Sequence, residues 1–201
     1  MLFAVALAVV VVDQPYCARV LAAAGFTVVE ITARPVADMQ RQIRQIRLNA
    51  RQLGVDPNRI ALVGGHQANL VGVADPAGNP KSRDPVERVS AAVQAVVAVA
   101  AQSDLRGGDG DPAALADASP VMRIRRDLPP FLLLHGDLDE TVPLVQSTHW
   151  QSALHAAGVR CDLIIIEHGS HSPEQWGTIP GVRDWEREVV EWLTRALGRP
   201  R

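Results

Sequence analysis

Three stretches of this 201-residue chain set histidines beside glycines, and the second of them adds carboxylates. The first is the corner Gly64-Gly65-His66-Gln67-Ala68. The second is His135-Gly136-Asp137-Leu138-Asp139-Glu140-Thr141-Val142-Pro143. The third is His168-Gly169-Ser170-His171. Imidazole and carboxylate side chains are the parts of nucleophilic catalysis, which needs a nucleophile, a base touching it and an acid orienting the base. Neutral imidazole can itself attack an ester, and an acyl-imidazole hydrolyses readily. The same residue types suit zinc or a similar ion. His66 and His171 with Asp139 or Asp13 make a weak alternative metal set, because their spacing has no recognised metal-motif form. Gly64-Gly65 lacks the third glycine of a dinucleotide fingerprint, so no cofactor is expected.

Alternating strand-like and helix-like segments must position these residues. Strands are expected over residues 3–12, 26–32, 59–63, 92–100, 130–135 and 162–166. The helices between them are expected at 16–24, closed by Gly25, at 37–53, at 143–157 and at 184–197. In the second helix Met39, Ile43, Ile46, Ala50 and Leu53 follow the three-four spacing of one buried face. Asp56-Pro57-Asn58 reads as a turn into the third strand. Strict alternation implies right-handed crossovers and a mostly parallel sheet with helices on both faces. Ligands then bind at the carboxyl ends of the strands. The informative residues are those just after each strand: Asp13, Gly64 to His66, Ser103-Asp104, His135 to Asp139, His168 and His171. Residues 74–90 and 104–120, rich in Gly, Pro, Asp and Ser, read as loops over the same rim.

The whole chain, residues 1–201, is expected to form one domain. Hydrophobic residues make up 47% and aromatics 4%, so the core is built from Ala, Val, Leu and Ile, as suits strands buried on both faces. The formal net charge of −2, with both signs interspersed, gives no basic stripe for nucleic acid. The apolar run Leu2–Val12 is too short to span a bilayer. It has no preceding Lys or Arg and no small-x-small cleavage site, so a strand fits it better than an export signal. Cys17 and Cys161 match no metal or CxxC spacing and read as buried thiols of a cytoplasmic protein.

The chain resembles the esterase/lipase branch of the α/β-hydrolase superfamily, the group of bacterial carboxylesterases and feruloyl-esterase-like enzymes. The resemblance runs from about Ala22 to Leu197. It is carried by residues 55–62 (VDPNRIAL), by Ala118-Ser119-Pro120-Val121, by residues 135–143, which match the family's HGxxDxxVP pattern, and by Gly169-Ser170-His171. The order of nucleophile corner, acid and histidine is that of the superfamily. The resemblance implies Asp139 as the acid, His171 as the base and His66 at the nucleophile position, where the family carries serine in G-x-S-x-G. His135 then has a structural part and Asp137 sits in the turn. The resemblance also implies a shortened N-terminus lacking the family's first two strands. That leaves a sheet edge open to pairing with a second copy.

Two departures bear on activity. His66 replaces the serine, at a corner that should expose its residue and bring it to His171. The family's oxyanion segment, a histidine followed by glycines, is replaced by Asp13-Gln14-Pro15. One oxyanion donor survives in the Gln67 N–H. Pro15 has no N–H, which leaves Gln14 as the replacement. Loss of one donor costs on the order of 10²–10³ in rate. Ser103 is a further nucleophile candidate at the rim. Two functions are then open: a hydrolase of small carboxylic esters or lactones with an atypical centre, or a lapsed enzyme that binds a small molecule or protein.

Overall fold

The computed structural model describes residues 6–32 and 35–198. In chain order the elements are β1 (Ala6–Val12), α1 (Pro15–Ala23), β2 (Thr27–Ile31), α2 (Val36–Leu48), α3 (Ala50–Leu53), β3 (Val55–Gly64), α4 (His66–Val73) and α5 (Pro85–Arg88). Next come β4 (Ala95–Val99), α6 (Pro112–Asp117), a 3-10 turn (Pro120–Arg123), β5 (Phe131–Gly136), α7 (Val145–Ala156), β6 (Cys161–Ile166), α8 (Pro173–Trp176) and α9 (Trp185–Leu197). The expected strands and helices are all present. The part of the first strand expected over residues 3–5 lies outside the described residues.

Six strands form one sheet in the order β2-β1-β3-β4-β5-β6, and each described pairing is parallel. The two-residue period of the strands sorts their side chains onto two faces. Ile60, Leu62, Val96, Phe131 and Leu133 pack with Met39 and Ile43 of α2, Ala68 and Val71 of α4, and Trp150 and Leu154 of α7. Ala61, Val63, Val97, Leu132 and Leu134 pack on the other face with Leu21 of α1 and Trp185, Val189, Trp192 and Leu193 of α9. Full burial of a Leu, Ile or Phe stabilises by about 1.5–3 kcal/mol, so these two layers hold the strand ends in fixed register.

Two local expectations change. The helix expected over 37–53 breaks at Asn49, which closes α2 and opens α3. Gly54 then ends α3 in the left-handed conformation at φ 66°. The Asp56-Pro57-Asn58 turn is a bulge within β3 and not a lead into it. Val55 pairs with Ala6 and Ile60 with Ala8, while the Asp56 carboxylate accepts from Asn58 N–H and Arg59 Nε.

The segment 74–90 is not a rim loop. α4 starts at the carboxyl end of β3 and runs back down the sheet, so the chain leaving α4 lies at the amino ends of the strands. There α2 pins it with Gln40 Nε2 to Asp75 O at 2.8 Å, Arg44 Nε to Val89 O at 3.0 Å and Arg44 Nη2 to Ala77 O at 3.1 Å. Arg47 donates to the carbonyls of Pro57, Ser90 and Ala92, and burial holds its guanidinium below the usual value. A buried carbonyl left without its donor costs about 1–3 kcal/mol, which explains why a polar face of α2 faces inward here. Of the two segments, 104–120 is the one that lies over the carboxyl rim.

Candidate active site

The turns after β5 and β6 meet in the tightest backbone contact of this rim. Leu138 N–H donates to Gly169 O at 2.9 Å and Asp137 N–H to Ile166 O at 3.1 Å. A Cβ on Gly136 would overlap the Gly169 carbonyl, and a Cβ on Gly169 would come within 2.9 Å of the Gly136 Cα. Both positions therefore need glycine for lack of space, and His168 enters this turn at φ 60°. The contact fixes the two residues the turns carry. His171 Nδ1 lies 2.8 Å from Asp139 Oδ2.

The Asp139 side chain has no exposed surface. Its Oδ1 accepts from Thr141 N–H at 2.9 Å and Val142 N–H at 2.8 Å. Its Oδ2 faces His171 and, at 3.2 Å, His135 Nε2. Burial pushes this carboxyl up, but the hydrogen bonds from Val142, His171 and Thr141 outweigh it and hold the group below the usual carboxylate range. His135 is fully buried. Its Nε2 donates to Val142 O at 2.8 Å, which leaves Nδ1 to accept from the Ser147 hydroxyl at 2.7 Å. It braces the acid turn from below, the structural part expected of it. Because a carboxylate only accepts, His171 must donate from Nδ1. Its Nε2 is left as a lone pair, on a side chain 42% exposed.

His66 opens α4 behind Gly65 and is half-buried. Among the described residues, those other than glycine with positive φ are Asp13, Ala100 and His168. His66 has ordinary helical backbone and is half-buried, less exposed than the corner was expected to leave it. Its Nδ1 lies 3.1 Å from Gln102 O, the same carbonyl that accepts from Asn69 Nδ2 at 3.1 Å. A carbonyl only accepts, so Nδ1 carries the proton and Nε2 the lone pair. Asn69 is fully buried and accepts in turn from Trp150 Nε1 at 3.2 Å. The described hydrogen bonds join neither the His66 nor the His171 ring to the other.

The first turn of a helix leaves its N–H groups without intrahelical partners, and Gln67 is in the first turn of α4. Gln67 lines a cleft of about 670 Å³ with Pro35, Val36, Leu70, Ala114, Asp117, Ala118 and Arg123. Gln14 precedes α1 and accepts from Ala18 N–H through its carbonyl. It is not among the cleft's lining residues. Asp13 is exposed at φ 49°, its N–H bonded to Ile31 O. Among the described residues no three His, Cys, Asp or Glu side chains gather as a metal-holding group. Asp13, His66 and His171 are therefore not brought together for a cation. Ser103 is buried, and its hydroxyl bonds Gln146 O at 2.8 Å. It anchors the start of the rim segment and is removed from the nucleophile candidates.

Residues that the sequence did not single out carry much of this. Gln102 and Asn69 set the His66 ring, Ser147 sets His135, and the Trp176 Nε1 donates to Ser170 O at 2.8 Å beside the base. Asn69, a polar residue inside the apolar run of α4, was the one visible signal.

A parallel sheet with a hydrogen-bonded Asp–His pair in the turns after β5 and β6, downstream of a strand–helix corner after β3, defines an α/β-hydrolase. Within that class the chain belongs to the prolyl oligopeptidase family, whose sequence profile matches residues 94–200, just over half of it. It is also similar to two esterases of Mycobacterium tuberculosis (strain ATCC 25618 / H37Rv). It is 29% identical to esterase LipQ over 145 residues and 29% identical to esterase LipC over 149 residues. Each match takes in 61% of this chain but only 34% and 36% of those proteins, so the chain matches about a third of their length. Among solved structures, an acetyl ester-xyloside bifunctional hydrolase from Caldicellulosiruptor lactoaceticus superposes at TM-score 0.85 with 26% identity. It covers 94% of this chain and 83% of that one. A butyrate-bound thermophilic esterase from Thermogutta terrifontis shares the fold at TM-score 0.73 and 22% identity, over 98% of this chain and 86% of that one. The expected fold and superfamily are borne out. No helix among the described residues is long and apolar enough to cross a membrane.

Proposed function

We propose that the chain is a carboxylic-ester hydrolase in which His66 stands where the family carries serine. The observation that carries this reading is the Asp139–His171 hydrogen bond of 2.8 Å, with the acid wholly buried and the base half-exposed. The similarity to esterases supports the reaction class.

The tautomer held by Gln102 presents His66 Nε2 as a lone pair, so attack on the ester carbonyl needs no prior loss of a proton. The carbonyl oxygen takes up negative charge, and the Gln67 N–H at the start of α4 is the donor for it. His171 Nε2 first takes up a proton from solvent, and as the C–O bond breaks the alkoxide takes that proton and leaves His171 neutral. The acyl group is then on His66 Nε2 while Nδ1 keeps its proton towards Gln102 O, which makes the acyl carbon strongly electrophilic. Water attacks, His171 Nε2 takes its proton, and the carboxylic acid leaves with His66 restored. Imidazole is a modest nucleophile, so activated aryl esters and strained lactones should react while amides should not.

Steady-state rates on an aryl acetate and the matching anilide check this. The protein should hydrolyse the ester and leave the anilide intact, and His66→Ala should lose the ester activity by at least about tenfold. Equal ester turnover by His66→Ala would remove His66 from the chemistry.

One observation favours a second reading. His66 lies in relaxed helical backbone, whereas an acyl-transfer elbow holds its residue strained. A lapsed centre that only binds its small molecule fits that relaxation. Such a protein would leave the aryl ester at its background rate.

A further inference from the structure

We infer that the cleft beside Gln67 takes the acyl chain of the substrate, and that this chain is an uncharged aliphatic one. The inference rests on the hydrolase reading above for the word substrate, but the cleft itself is a physical feature that binding can test alone.

Its position selects the acyl side. The sheet order places β2 and β6 at opposite edges, with β3 between them. His66 follows β3. His171, which must hand a proton to the departing alcohol, follows β6. Pro35 and Val36, which line the cleft, follow β2. An ester whose carbonyl carbon lies at His66 and whose alcohol oxygen faces His171 therefore directs its acyl chain towards the β2 side. The carbonyl oxygen meets the N–H of Gln67, a residue that also lines the cleft.

Its lining selects the chemistry. Pro35, Val36, Leu70, Ala114 and Ala118 are apolar and short or rigid. Leu70 lies one helical turn beyond Gln67, so the two share a face of α4. The charges present, Asp117 and Arg123, are paired with each other, and Arg123 also donates to the Asp117 carbonyl at 2.7 Å. That pairing leaves no lone charge to hold a charged acyl chain, whereas methylenes need only the apolar wall. The volume of about 670 Å³ lies in the usual range for small-molecule sites.

Full burial of one methylene is worth about fourfold in binding, and a chain lying in an open cleft gains about twofold. On p-nitrophenyl acetate, butyrate, hexanoate and octanoate, kcat/KM should rise about twofold per added methylene. Ala118→Trp, which fills the cleft from the α6 side, should flatten the series, lowering the octanoate rate far more than the acetate rate. A series of acetates with lengthening alcohol chains should be insensitive to Ala118→Trp. Direct titration with sodium octanoate and sodium acetate, followed by calorimetry, separates this inference from the hydrolase reading. Octanoate should bind the parent more tightly than acetate, and Ala118→Trp should lose that difference whether or not any ester is turned over. The parent binding both acids equally, or Ala118→Trp altering the alcohol series and not the acyl series, would overturn the assignment.

Discussion

Replacing Asp139 with Asn should lower ester turnover by on the order of 10³–10⁴-fold, the size of effect seen when a triad acid is made neutral. The geometry gives the reason. Oδ1 accepts from the Thr141 and Val142 N–H groups, so the amide oxygen must take that place. The NH2 is then forced into the Oδ2 place, facing His171 Nδ1 and the His135 Nε2–H. His171 has to accept from it at Nδ1 and carry its proton on Nε2, the tautomer that cannot take a proton from water. His135 meets a donor with a donor. The same substitution probes stability against pH. The folded Asp139 carboxyl lies below its ordinary value of about 3.9, so its stabilisation is fully present above that value and is lost as pH falls through the lower folded one. Thermal melts should give a wide gap in Tm between parent and Asp139→Asn at neutral pH that narrows below about pH 4. A gap that stays constant down to pH 3 would contradict the burial and hydrogen bonding assigned to this group.

The acid–base half of the site was legible because its constraints are local. HGxxDxxVP and the Gly-Ser-His turn each sit on a few consecutive residues, and the strands before them are short apolar runs that only a buried parallel sheet accommodates. The illegible half depends on distant backbone. The Gln102 carbonyl that fixes the His66 tautomer belongs to a loop 36 residues away, and a carbonyl has no sequence signature. The loop 74–90 was misplaced for a related reason. Its composition says turn, but which end of the sheet it covers is set by the direction of α4 and by Arg44 and Arg47 reaching across from α2. The break at Asn49 was hidden because apolar spacing continues through it, from Ile46 to Ala50.

His66→Ser carries the other large expected effect. A serine at this corner, with the Asp139–His171 pair intact, restores the family's nucleophile and a base able to activate it. Aryl-ester hydrolysis should exceed that of His66→Ala by on the order of 10²-fold or more, the usual contribution of a positioned general base. The parent and the serine variant should differ in leaving-group dependence, since serine needs His171 for the attack itself and His66 does not. A silent His66→Ser would place a further defect in the segment Asp13-Gln14-Pro15, which stands in place of the family's oxyanion segment, and would favour the binding-module reading.

The central claim is that the acyl group passes through His66. Rapid acid quench of the protein during turnover of p-nitrophenyl acetate, followed by intact-mass and peptide analysis, tests it directly. The account predicts one acetyl group per chain at early times, on the peptide containing His66. It should persist longer in His171→Ala, where no base activates the water, and be absent in His66→Ala. Turnover without any acetylated His66 peptide, in the parent and in His171→Ala alike, would contradict it.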